Sequence, residues 1–140
     1  MNKPPGVGID LSVLLYAARR AETAVESGLN AIGLSVAKLA ALKTLADAGE
    51  SLPLSQLAER LSCVKSNITQ LVDRLEADGL VSRESDPGDR RTKLAVLTAA
   101  GRKACREGRR VQEDAERRVL GRLSASESEQ LAALLSKLRA

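Results

Sequence analysis

The chain has 140 residues, a net charge of +4 and a hydrophobic content of 44%. Because it contains no histidine, the sequence excludes the common zinc and iron cages and a histidine general base. Because Tyr16 is its only aromatic residue, it also excludes a platform for stacking single-stranded bases, and duplex DNA remains as the nucleic-acid option for a basic chain.

Two helices are predicted in the first third of the chain, after an N-terminal arm that contains prolines and glycines. Asp10 is suited to cap the first helix, along which apolar residues recur at helical spacing as far as Val25. Ser35 is suited to cap the second helix, which is predicted to run to about Asp47 and to be followed by a turn at residues 48–51.

A short helix, a tight connection and an amphipathic helix are predicted next. Pro53 fits the first turn of the short helix, where its missing N–H costs nothing, and residues 62–64 form the connection. The amphipathic fourth helix is predicted from Lys65 to Ala77, and Gly79 ends it as a glycine cap. Its apolar stripe consists of Ile68, Leu71, Val72 and Leu75.

A β-hairpin is predicted after the fourth helix. Strands at residues 80–84 and 92–97 flank turn-forming residues at 85–89. Thr98 is suited to cap a long fifth helix, on which Cys105 is interpreted as a packing residue. The last helix has two candidate capping boxes, which are Ser124 with Glu127 and Ser126 with Glu129.

This order of elements is that of a winged helix-turn-helix. The second helix of the pair can lie in the major groove, and the hairpin can reach the minor groove or the DNA backbone. The side chains predicted to read the major groove are Lys65, Ser66, Asn67, Thr69 and Gln70. The side chains predicted for wing and backbone contacts are Arg74, Arg83, Arg90, Arg91 and Lys93.

Five segments resemble the MarR family of bacterial transcriptional regulators. In order they are LAERL (57–61), ITQLVDRLE (68–76), GLVSR (79–83), DPGDRR (86–91) and LTAAG (97–101). The resemblance covers residues 34–138 and implies a mainly helical fold with a small β-hairpin wing. It also implies a homodimer, held by the N- and C-terminal helices, that binds a palindromic operator near a promoter, usually as a repressor.

The resemblance further implies a division of the chain and roles for its residues. Residues 1–33 would form an arm and a dimerisation helix, residues 34–101 the DNA-binding region, and residues 102–140 the C-terminal dimerisation helices. At the wing tip, Asp89 would orient Arg91 in the minor groove. The residues placed in the major groove by position are Ser66, Asn67 and Gln70.

Two departures from the family pattern bear on the DNA-reading residues. Ser62 and Val64 stand where the family often has glycine and serine, so the start of the recognition helix is open by a residue or two. Gln70 stands where the family commonly has arginine, so the operator of a relative cannot be transferred to this chain.

Two ways of regulating the protein are left open by the sequence. Many relatives of this kind release DNA when a small phenolic or anionic compound binds, and Tyr16, Arg19 and Arg20 are candidates for such a site or for ordinary surface. Others sense oxidants through cysteine. Cys63 precedes a helix N-terminus, which favours a thiolate, but in the family pattern this position is usually a buried apolar residue, and a free cysteine packs as a small hydrophobic side chain.

Enzymatic activity is not expected, and neither is a cofactor or a metal. The sequence has no nucleophile elbow, phosphate-binding glycine loop or metal cluster. It also has no signal peptide and no apolar stretch of the ~20 residues that span a bilayer, so we expect a cytoplasmic protein without a membrane partner. The remaining alternative is a winged helix that binds another protein and has no operator.

Overall fold

The computed structural model describes residues 8–62 and 65–139. The helices and strands, in chain order, are α1 (Leu11–Asn30), α2 (Val36–Asp47), β1 (Ser51–Pro53), α3 (Leu54–Arg60), α4 (Lys65–Ala77), β2 (Val81–Asp86), β3 (Asp89–Leu97), α5 (Ala99–Leu120) and α6 (Ala125–Lys137). The mainly helical fold with a hairpin wing is therefore confirmed. None of the helices in these two ranges is long and apolar enough to cross a membrane.

The predicted helix caps are confirmed at four N-termini. A side-chain oxygen accepts a hydrogen bond from a first-turn backbone N–H at each of Asp10, Ser35, Thr98 and Ser124. Of the two candidate capping boxes for α6, the one that forms is Ser124 with Glu127. The Glu127 carboxylate accepts from the Ser124 N–H at 2.8 Å, and this hydrogen bond lowers the pKa of Glu127.

The sheet is antiparallel, with strand order β1-β3-β2, and it differs from the sequence prediction in two places. Residues 51–53, predicted as the end of a turn and the start of a helix, form β1, and Pro53 lies one residue before α3. The wing turn is also tighter than predicted, because Asp86 pairs with Asp89 and its carboxylate accepts from the Gly88 N–H at 2.9 Å. Both differences arise from strand pairing, which periodicity does not report.

The core lies where the end of α1, helices α2, α3 and α4, and the sheet meet. Its largest fully buried side chains are Leu29, Leu42, Leu45, Leu57, Ile68, Val72 and Leu75. Of the apolar stripe predicted for α4, only Leu71 remains partly accessible. Cys105 on α5 is 3% exposed, which confirms its interpretation as a packing residue.

Helix α1 packs along α5. The outer faces of α1 and α6 nevertheless carry exposed apolar side chains, including Leu11 at 73% and Leu134 at 59% exposure. No residue of α6 within the described part of the chain is buried. Solvent-exposed leucines in series are the pattern of a surface that another molecule covers.

Candidate nucleic-acid interface

Helix α4 has a buried face and an opposite polar face. With about 3.6 residues per turn, Ser66, Gln70 and Arg74 lie roughly opposite the buried Ile68 and Val72. Those three side chains are exposed, as is Asn67 at the edge of the same face. Three of the side chains predicted for the major groove, Ser66, Asn67 and Gln70, thus share one exposed surface. Lys65 begins α4, but its side chain lies outside the described residues.

The connection between α3 and α4 passes through a left-handed residue. Ser62 has φ +54°, which places it in the region that favours glycine, and its N–H donates to the Glu59 carbonyl at 3.1 Å. Residues 63–64 lie outside the described residues, so the redox role of Cys63 and the effect of Val64 on the helix start stay predictions. The next described residue, Lys65, is already helical.

The wing tip presents two arginines from β3. The Asp89 carboxylate accepts from the Arg91 backbone N–H at 3.0 Å and from the Thr92 hydroxyl at 3.2 Å. Asp89 therefore holds the backbone that carries Arg91. Arg90 and Arg91 are both exposed, and neither guanidinium forms an ion pair within residues 8–62 and 65–139. Lys93 donates to the Ser85 hydroxyl at 3.1 Å.

Arg83 lies apart from the cations of the wing tip. Its guanidinium contacts the Asp73 carboxylate at 2.5 Å and the Glu76 carboxylate at 3.1 Å, both on α4. Its side chain is only 24% exposed. The structure thus does not bring Arg83 together with Arg90 and Arg91. Two carboxylates at a spacing of three on α4 are the sequence signal that could have indicated this pairing.

Other ion pairs join the elements around the interface. Lys38 on α2 contacts Asp78, just beyond α4, at 2.8 Å. On α5, Arg102 contacts Glu50 at 2.7 Å, and Arg109 contacts Asp47 at 2.8 Å. Positive charges on α5 are therefore partly neutralised by acids of the same chain. The guanidinium groups of Arg90 and Arg91 at the wing tip have no such carboxylate partner among the described residues.

The candidate effector residues Tyr16, Arg19 and Arg20 line open clefts on α1. One cleft, of about 520 Å³, is formed by α1 alone. A second, of about 510 Å³, brings Tyr16 and Arg20 beside Arg118 near the end of α5 and Arg122 just after that helix. A third cavity, of about 310 Å³, lies between α1, α2 and α5 and was not predicted. Its lining is apolar except for a few polar groups, which include a Lys43–Gln112 hydrogen bond of 3.1 Å.

Comparison with known proteins places this arrangement among bacterial regulators. Residues 34–93 match the model of the MarR family. The HTH-type transcriptional repressor Mb2911 of Mycobacterium bovis is 30% identical over 131 residues, which cover 91% of this chain and 92% of that protein. The transcriptional regulator HosA of Escherichia coli is 34% identical over 82 residues, or 59% of this chain, and the match spans 61% of HosA. The crystal structure of a probable transcriptional regulator from Pseudomonas aeruginosa superposes with a TM-score of 0.85 at 30% identity, covering 94% of this chain and 97% of that one.

Proposed function

This chain belongs to the MarR family of transcriptional regulators, and we propose that it is a repressor that binds double-stranded operator DNA through α4 and the wing. One observation carries the proposal: the wing-tip arginines Arg90 and Arg91 are exposed and have no ion pair among the described residues. By contrast, four other arginines of the chain are paired with its own carboxylates: Arg83, Arg102, Arg109 and Arg117.

In the proposed complex α4 lies in the major groove. Gln70 and Asn67 carry amides that can bond adenine bidentately, and Ser66 can donate to or accept from either kind of base pair. Thr69 is exposed on the flank of α4 that faces the wing, and Lys65 stands at the helix start. Arg74 is exposed one turn beyond Gln70 and would neutralise a phosphate.

The wing supplies the electrostatic part of binding. Arg91 would enter the minor groove, where the negative potential attracts arginine, while Arg90 and Lys93 would contact phosphate. The two hydrogen bonds to the Asp89 carboxylate hold the turn, so the Arg91 side chain is presented from a constrained backbone. Less conformational entropy is then lost when the arginine binds.

We propose further that the regulator is a homodimer on a palindromic operator. The exposed apolar residues of α1 and α6 support this, because a second copy of the same faces would bury them. A two-fold dimer requires half-sites related by the same symmetry, about one helical turn of DNA apart. Sedimentation of the purified protein should therefore show a dimer, and a stable monomer would contradict the proposal.

Release by a small phenolic or anionic compound is the proposed mode of regulation. The cleft where Tyr16 and Arg20 lie beside two arginines of the α5 end supports it, since guanidinium groups bind carboxylates and a phenol ring offers an apolar face. A screen of aromatic carboxylates against the DNA complex tests this proposal. It predicts that an active compound loses its effect in Arg20→Gln, whereas an effect retained in that variant would place the compound elsewhere.

The experiment that tests operator binding is selection of duplexes by the purified protein, followed by a salt titration. A selected palindrome, bound far more tightly than a scrambled duplex and with a steep dependence of affinity on salt, would support a specific regulator. If no duplex were enriched and binding stayed weak, the winged helix would instead be assigned to a protein partner.

A further inference from the structure

We propose that Arg83 is a positioning residue that sets the separation between the recognition helix α4 and the wing tip. This inference rests on the proposed DNA binding, because the separation matters only if both elements contact one duplex. Arg83 stands on β2, within the wing, and its side chain reaches back to α4. We call its set of contacts to Thr69, Asp73 and Glu76 the Arg83 brace.

The brace has three points of attachment along α4. The guanidinium lies 2.5 Å from the Asp73 carboxylate and 3.1 Å from the Glu76 carboxylate, and it donates to the Thr69 carbonyl at 3.3 Å. Residues at these spacings lie along one side of a helix, between its buried face and its DNA-facing side. A planar guanidinium presents its donors in a rigid fork that can hold all three acceptors at fixed positions, whereas an ammonium is a compact point charge without that geometry.

A backbone contact joins the same two elements. Because β2 is an edge strand, its outer N–H groups have no partner strand. The backbone N–H of Arg83 instead donates to Glu76 at 3.1 Å, to the carboxylate that also accepts from the Arg83 guanidinium. Glu76 therefore ties both the backbone and the side chain of the wing strand to α4.

The brace spans the short connection between α4 and β2. Only residues 78–80 separate α4 from β2, and Gly79 in that segment has φ +74°. A glycine turn permits more than one angle between the elements that it joins. Together with the hydrogen bonds that Thr98 donates to the Gly79 and Leu80 carbonyls, the brace holds one angle, and through it one distance between Gln70 on the helix and Arg91 at the wing tip.

Two explanations of the Asp73 and Glu76 carboxylates, charge repulsion alone and the Arg83 brace, predict opposite effects on DNA binding when these groups are neutralised. Asp73 and Glu76 are acids beside the surface proposed to meet phosphates, with side chains 59% and 44% exposed. If they act only through their charge, neutralising them should strengthen binding. If they hold Arg83, neutralising them should weaken binding in spite of the gain in net positive charge.

The test uses the full chain and the duplex selected above. We expect Asp73→Asn with Glu76→Gln to weaken binding about two- to fivefold, the range that exposed ion pairs support. Glu84→Gln is the matched control, because Glu84 is an exposed wing carboxylate with no ion pair among the described residues. The control variant should bind as tightly as the wild type or more tightly.

A spacing measurement separates positioning from mere loss of folded protein. In a second duplex, one base pair is inserted between the bases protected by α4 and those protected by the wing. The wild type should discriminate against it by about tenfold or more, and the double variant should discriminate less because its wing is no longer held at one distance from α4. Partial unfolding cannot produce this result, because it lowers both affinities equally and leaves their ratio unchanged. Arg83→Lys, with unchanged net charge, should relax the spacing preference and keep the salt slope.

The outcomes distinguish the two proposals. If the wild type binds no duplex specifically, the proposed function fails. If the wild type binds but the double variant binds as tightly or keeps the full spacing preference, the brace is overturned. The brace is likewise overturned if Arg83→Lys behaves as the wild type while Arg83→Gln lowers the salt slope by about 0.9. That change is expected when one direct phosphate contact is lost.

Discussion

Substitution of Gly101 by alanine should destabilise the junction between the wing and α5. Gly101 lies in the first turn of α5 and is buried under the start of β2. A Cβ at this position would stand 2.0 Å from the Leu80 carbonyl oxygen and 2.8 Å from a Leu97 methyl group. The carbonyl is not free to retreat, because it accepts the Thr98 backbone N–H at 3.1 Å.

The expected magnitude is the balance of two effects. Overpacking a well-filled site costs about 1–3 kcal/mol, and a contact with backbone belongs in the upper part of that range. Alanine stabilises a helix by about 1 kcal/mol relative to glycine, which offsets part of this cost. The free energy of unfolding should therefore fall by about 1–2 kcal/mol, which lowers the melting temperature by about 3–8 °C for a chain of this size.

Thermal unfolding followed by circular dichroism measures this change, at one protein concentration because an oligomer melts in a concentration-dependent way. Gly88→Ala is the matched control. At Gly88 the added Cβ would make only an ordinary contact, 3.6 Å from the Asp86 carboxylate, and the backbone is not left-handed. If Gly101→Ala melted at or above the temperature of Gly88→Ala, the clash inferred at the wing–α5 junction would be refuted.

Three further predictions concern the interface. Arg91→Ala should weaken operator binding by about 1–3 kcal/mol while leaving the melting temperature unchanged, and equal affinity in a titration would remove its minor-groove role. Gln70→Ala should change sequence preference at one base pair by about 1–3 kcal/mol in a competition assay, whereas uniform weakening would indicate a backbone contact. Ser62→Gly should raise the free energy of unfolding by about 0.5–1 kcal/mol in urea, because glycine relieves the left-handed φ of +54°; a loss of stability would argue against strain there.

The helices and their ends could be predicted because their signals are local. Ser35 and Thr98 cap helices with their own side chains, and Gly79 ends α4 with a φ of +74°. The period of apolar residues in α4 likewise follows from which of its faces is buried. Such features depend on a few neighbouring residues, so the sequence alone carries them.

Pairings between distant segments could not be predicted in the same way. Strand β1 exists because residues 51–53 align with residues 94–96, more than forty positions later in the chain. Its three residues carry too little pattern to stand out, and the proline within them favours other interpretations.

The sequence by itself determined that a helix-turn-helix is followed by a cationic hairpin, because periodicity, capping and turn chemistry act within a few residues. Only the tertiary structure decided which of those cations remain available. Arg83 and Arg91 were both predicted as DNA-contacting cations of the hairpin, yet Arg83 contacts carboxylates of α4, whereas Arg91 is exposed at the wing tip. The physical reason is that an ion pair depends on distance in space, and packing α4 against the sheet brings Asp73 and Glu76 to Arg83.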